Sequence, residues 1–179
     1  MPEDLLTKID SLSDKDLVEA ATYYLAPAVG VRSSVEAEAR IDQECATLGG
    51  DAKDLRAIRD EMARDRDSYR LLLRFLLREA AQGTKKERDK VAAAVEAVGQ
   101  KQFIADPLTA AAFGLIATIV LIRTTGGKVE EVRERITQTS PDGTVHEKET
   151  VKTTYAAPTT LGRFFQWLKS VSFGKPAGS

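Results

Sequence analysis

Asp106-Pro-Leu-Thr-Ala-Ala-Ala-Phe-Gly-Leu-Ile-Ala-Thr-Ile-Val-Leu-Ile122 decides how this chain of 179 residues divides. Asp106 suits an N-cap and Pro107 the first helical turn. Arg123 followed by Gly126-Gly127 suits a carbonyl end. From Pro107 to Ile122 there is no charge, and apolar residues occupy every side of the helix. A helix of that kind must be enclosed by protein or by lipid. Pro107 to Arg123 is 17 residues, or roughly 25 Å at the α-helical rise. That is close to the lower limit of about 17 residues for crossing a bilayer. Ala110, Gly114 and Thr118 lie four apart, a small-residue line that lets helices approach closely in lipid. A membrane span is the leading expectation. The alternative is a helix buried at the centre of a soluble domain or oligomer.

Before this stretch the chain reads as a charged helical bundle over residues 1–102. Two short helices fit residues 3–30, with Ser13 as a cap and an end near Ala26-Pro27. A third runs from about Ser33 to Leu48, with Val35, Ala39, Ile41 and Cys45 inward and Gly49-Gly50 as its stop. A long helix is expected from Asp51 to about Gln82. Leu55, Ile58, Met62, Tyr69, Leu72, Leu73, Leu76 and Leu77 form its buried stripe. Arg66, Arg70, Arg74 and Arg78 form a separate line four residues apart. Such a line is either a docking rail for carboxylates, phosphates or headgroups, or a solvated face whose stems shield the leucines. After Gly83, Thr84 caps a helix from Lys85 to about Gln102, with Val91, Val95 and Val98 inward.

After the apolar helix (103–125) the character changes. Two Thr-rich, charged runs, Val129–Thr139 and Thr144–Tyr155, flank Ser140-Pro-Asp-Gly143, and a polar β-hairpin over 126–157 is expected. Arg133, Glu134 and Arg135 would then face Glu147, Lys148, Glu149 and Lys152 across the strands. Residues 158–179 carry Leu161, Phe164, Phe165, Leu168 and Val171 at helical spacing, with Trp167 at the border and Arg163 and Lys169 opposite. From Ala156 on there are three cations and no acid. This is the pattern of a helix lying in a membrane interface, although a docked terminal helix has the same pattern. The expected fold is therefore mainly α: an N-terminal bundle, one apolar helix, a polar hairpin and an amphipathic tail.

Composition narrows the function classes. Net charge is −1 overall. Residues 1–102 carry 17 Lys+Arg against 20 Asp+Glu, net −3, which makes nucleic acid an unfavoured partner. One cysteine, Cys45, excludes an intrachain disulfide and a Cys-rich zinc cluster. It lacks a basic neighbour in sequence that would activate it. The only histidine, His146, has no second ligand at metal spacing and no nucleophile motif around it. Neither a phosphate loop nor a dinucleotide fingerprint occurs. An enzyme, a cofactor and a metal are not expected. The acidic start lacks the pattern of a signal peptide, which leads to the expectation of a cytosolic N-terminal domain.

From Ala110 to Val151 the order is small-residue apolar helix, arginine, glycine break, Thr-rich strand, Pro-Asp-Gly turn and charged strand. It resembles the small constant components that accompany effector-associated adaptor modules in bacterial conflict (antiphage) systems. The resemblance covers roughly a quarter of the chain. It implies an adaptor or membrane effector in a defence operon and supplies no catalytic residues. Two functions then compete. In the first, a non-enzymatic protein of the bacterial inner membrane, its N-terminal domain cytoplasmic, self-associates through Ala110, Gly114 and Thr118. In the second, a cytoplasmic helical adaptor buries the apolar helix within a homo- or hetero-oligomer. The partners expected are a second copy of the chain in a homo-oligomer, another protein and, in the first reading, membrane lipid.

Overall fold

The computed structural model describes residues 2–31, 33–100, 106–138 and 159–171. Among them are nine helices and no strand: α1 (Pro2–Ser11), α2 (Asp14–Val29), α3 (Ser34–Leu48), α4 (Ala52–Arg64), α5 (Arg66–Gln82), α6 (Lys85–Glu96), α7 (Pro107–Thr125), α8 (Val129–Gln138) and α9 (Thr160–Ser170).

Most helices begin where a short polar side chain can accept from the first free N–H groups. Ser13 accepts from Asp16, Ser33 from Glu36, Thr84 from Glu87, Asp106 from Thr109 and Thr159 from Gly162. Helix α2 continues past the expected stop at Ala26-Pro27 and ends at Gly30. Pro27 lies in the last turn, where its missing N–H removes one intrahelical bond, and Gly30 closes the end at φ 72°. The long helix expected over 51–82 is two. Asp65 leaves the helical conformation, closes α4 and opens α5, and its carboxylate accepts from the Ser68 backbone N–H. A short acid that can bond its own backbone is a helix breaker wherever a partner three residues on rewards the turn. Helix α6 is shorter than expected, ending at Glu96.

The apolar helix α7 is the axis of the bundle. It is ringed by α2, α3, α4 and α5, while α6 lies on α2 and α5, and α1 crosses α5 and α6. Helices α8 and α9 pack together on the outside of α4 and α5. A single core runs through all of this, from Leu5 and Ile9 through the Leu55–Leu77 stripe and Phe113 to Phe164, Phe165 and Val171. Residues assigned by sequence to the bundle, the apolar helix, the hairpin region and the tail thus share one interior. In the third helix Ala37, not Val35 or Ala39, turns inward; Val35 is 76% exposed.

The hairpin expectation is corrected over its first arm. Val129–Gln138 is helix α8, not a strand. Val129, Val132 and Ile136 recur at i, i+3 and i+7, and all three are buried. That helical period outweighs the alternation of charges between them. Arg135 faces Glu79 of α5 at 3.0 Å instead of a cross-strand acid. The second arm, the Pro-Asp-Gly turn and His146 lie outside the described residues.

Candidate functional site

The small-residue line of α7 is used inside the chain. Ala110, Gly114 and Thr118 are all buried. A Cβ on Gly114 would stand 3.1 Å from Leu72 Cδ2 and 3.4 Å from Leu73 Cδ2, so the missing side chain lets α5 come close. The Thr118 hydroxyl donates to the Gly114 carbonyl at 2.7 Å and is satisfied within its own helix. At the far end of α7, Arg123 meets Glu44 of α3 at 2.7 Å. Glu44 is 1% exposed and is also held by Arg40 at 2.8 Å. Two cations around one buried carboxylate satisfy a group that would otherwise be costly to enclose.

The tail shows its expected face but against protein. Phe164, Phe165, Trp167 and Leu168 are buried where α9 packs on α4 and α8, and Arg163 and Lys169 point outward. Arg163 pairs with Glu61, and Lys169 with Glu130. Glycine matters here too. A Cβ on Gly50 would meet Val171 Cγ1 at 2.7 Å and Trp167 Cζ2 at 2.9 Å, so α9 lies directly on the α3–α4 junction.

The arginine line meets carboxylates, and they belong to the same chain. Arg70 faces Asp14 at 2.8 Å, and Arg78 donates to Asp10. Arg74 lies between them, 8% exposed; burial, and then the neighbouring Arg70 charge, lower its pKa, while Asp10 and Asp14 oppose that shift. Arg66, at the start of α5, is exposed. The rail therefore clamps the α1–α2 corner onto α5. Those acids were not singled out from sequence, because nothing in their own spacing announces a partner more than fifty residues away.

Among the described residues, no group of three or more His, Cys, Asp or Glu side chains is placed to hold a metal ion. Cys45 is 1% exposed, and burial, reinforced by Asp42, pushes its thiol up to about 11. The thiol is thus held protonated at neutral pH and packs in the core.

One surface feature was not read from the sequence. The ends of α2, α5 and α7 leave a groove of about 310 Å³ between them. Ala117, Val120 and Leu121 of α7 line it, with Ala28 of α2 opposite and Glu79 and Glu87 among its polar members. Tyr24 stands at its edge and also lines a second hollow between α2 and α6. Burial, and then Glu87, raise the pKa of Tyr24, which keeps it a neutral phenol. A groove assembled from several helices leaves no local motif in the sequence. No protein-family model, curated protein or solved structure matches the chain.

Proposed function

We propose that this chain is a non-enzymatic helical adaptor that uses its apolar helix as its own core and works by binding another protein. The observation behind this is the enclosure of α7: Ala111, Phe113, Leu115, Ile116 and Ile119 are each at most 1% exposed, covered by α2 to α5 of the same chain. The aromatic face of α9 is covered in the same way. Two features that asked for lipid or a second subunit thus find their apolar surroundings within the fold. The charged outer faces, with many ion pairs, suit a protein that meets partners from water.

The test is purification without detergent. The expected outcome is a monodisperse species whose α7 amides are among the slowest to exchange with deuterium. A chain that stays with membranes through carbonate extraction, and whose α7 exchanges fast once detergent is removed, would overturn the proposal.

The membrane-associated, self-assembling effector is the second reading. It draws on α7 itself, 19 residues long with a mean hydropathy of 1.7 over its best window. For α7 to enter lipid, the bundle would have to open and Gly114 would have to leave Leu72 and Leu73. Labelling of residues 107–125 by a photoreactive probe confined to the acyl chains of liposomes, with the chain retained by those liposomes through carbonate, would favour this reading. The bacterial-defence setting goes with either reading and rests on the resemblance of residues 110–151 alone, of which the first expected strand is helix α8.

A further inference from the structure

Three charged side chains are buried among the described residues, and the fold answers two of them. Glu19 accepts from the Gly99 backbone N–H, and Glu44 lies between Arg40 and Arg123. Arg74, 8% exposed, enters no ion pair among the described residues, and its enclosed Nε–H donates to nothing. An arginine that only shields leucines with its stem keeps its head in water; here Nε of the head is enclosed as well. One turn to either side, Nε of Arg70 and of Arg78 is also enclosed without a hydrogen bond. Arg70 Nε stands 2.8 Å from Asp14 Oδ1, close enough to pair by charge but out of line for a bond. Arg78 reaches Asp10 Oδ2 through Nη1, which leaves Asp10 Oδ1 buried with no partner.

We propose that Arg74 is the centre of a site for a small phosphate-type oxyanion, held by Arg70, Arg74 and Arg78 and donating its own O–H to Asp10 Oδ1. A buried cation without a bond is costly, and native proteins keep such a group where water or an ion satisfies it. Three arginines against Asp10 and Asp14 leave one positive charge in this corner, which water cannot balance and an anion can. Asp67, 3.4 Å from Arg70, is 88% exposed and its charge is spent largely on solvent. Arginines one helical turn apart, about 6 Å, can converge on a tetrahedral group, which presents an oxygen in every direction. The carboxylate of Asp10 only accepts, so the ligand must bring a donor to it. Hydrogen phosphate has oxygens for the guanidinium groups and an O–H for Asp10; sulfate has oxygens alone. Exposed Asp67 beside Arg70 disfavours an anionic membrane surface, so the source is an ion free in solution. Once bound, the anion would tie α1 and α2 to α5 more firmly than the two existing pairs do.

The experiment is a set of melting curves on the full chain in zwitterionic buffer with sodium phosphate, sulfate or chloride at matched ionic strength. Side-chain nuclear magnetic resonance follows the arginine Nε–H groups in the same solutions. Phosphate at about five times its Kd should raise the parent's Tm about 2–4 °C beyond chloride and shift the Arg74 Nε–H signal. Sulfate should bind about tenfold or more weakly, because it leaves Asp10 Oδ1 unmet. Arg74→Met removes a buried charge, so it should fold and melt at or above the phosphate-free parent, with the phosphate-specific rise gone. Asp10→Asn, which can donate as well as accept, should lose the preference for phosphate over sulfate. A phosphate rise equal in the parent and Arg74→Met is the general effect of an excluded salt and overturns the site. An Arg74 Nε–H signal that does not move in phosphate overturns it too, and so does chloride acting as well as phosphate. Sulfate binding as tightly as phosphate to the parent overturns the role of Asp10 and with it the choice of anion. Vesicles of phosphatidate in phosphatidylcholine that retain the parent but not Arg74→Met, with free phosphate inert, overturn the free ion as the source.

Discussion

Helices α7 and α9 both carry apolar faces that fit lipid as well as protein, and the fold buries them in opposite ways. Helix α7 has no polar side, so it needs neighbours all round, and α2, α3, α4 and α5 supply them. Helix α9 has one apolar side and needs only the groove between α4 and α8. Each makes close contact through a glycine, but the glycine sits on different partners. Gly114 belongs to the buried helix itself, whereas Gly50 belongs to the surface on which α9 lies. The same residue type thus thins a helix in one case and flattens a dock in the other. An all-round apolar helix in a single chain is therefore a demand for a ring of amphipathic helices, and lipid is only one way to meet it.

The largest expected effect comes from emptying the space each helix fills. Phe113 of α7 and Phe164 of α9 are both fully buried. Phe113→Ala should cost about 3–5 kcal/mol, read as a shift in urea unfolding of the whole chain. Phe164→Ala should fall at the low end of that range, because α9 can lift from α4 and α8 without opening the ring around α7. Hydrogen exchange would then show α9 exposed while α7 stays protected. Equal losses, with both helices exchanging together, would make α9 as integral as α7 and break the distinction.

The two glycines sharpen it further. Gly50→Val puts atoms where Val171 and Trp167 already stand, and the loss should be roughly 1–3 kcal/mol, with α9 partly displaced. Gly114→Ala meets Leu72 at a tight but yielding 3.1 Å. Replacing a mid-helix glycine by alanine also returns about 0.5–1 kcal/mol, so the net change should lie near zero. Paired thermal melts of the two variants decide this. A Gly114→Ala variant that melts far below Gly50→Val would mean that α5 cannot yield at Leu72.

Much of this architecture could be read before the fold was known, because it is written in local chemistry. Ser13, Ser33, Thr84, Asp106 and the glycine stops mark helix ends, and the leucine stripe of residues 55–77 marks a buried face. What could not be read depends on residues far apart or on competition within a few residues. The break at Asp65 hides inside an unbroken apolar period, since Ser68 is an ordinary helix residue until the carboxylate turns onto it. Helix α8 was masked by its charges and threonines, which look strand-like unless Val129, Val132 and Ile136 are counted by threes and fours. The arginine line was visible, but Asp10 and Asp14, which it grips, sit on other helices. Nor did any local signal say what covers α7: a neutral helix reads the same whether lipid or protein surrounds it. Phe164, Phe165 and Leu168 carried the same ambiguity, and in the fold they pack on α4.

A smaller effect than emptying the core sits where the ring around α7 begins. Asp106 accepts from the Thr109 hydroxyl at 2.6 Å and from the Thr109 backbone N–H at 3.0 Å. Burial on its own would raise the Asp106 pKa, but those hydrogen bonds and neighbouring backbone N–H groups outweigh it, and the carboxyl lies below its usual value of 3.8. A carboxyl with a lowered folded pKa stabilises the fold above its unfolded value, and that stabilisation is lost as pH falls through the folded value. Asp106→Ala should therefore cost about 1 kcal/mol at neutral pH, the usual loss for a capping side chain. Asp106→Asn keeps an acceptor for the Thr109 N–H and should cost less. The gap between parent and Asp106→Asn, measured by urea unfolding across pH, should be constant above pH 5 and close as the pH drops below 4. Helix α9 begins at Thr159, a neutral cap. Thr159→Ala should therefore show a loss of similar size with no comparable acid limb. A Thr159→Ala gap that closed at the same low pH would show that the acid limb belongs to the whole bundle and not to the charged cap of its central helix.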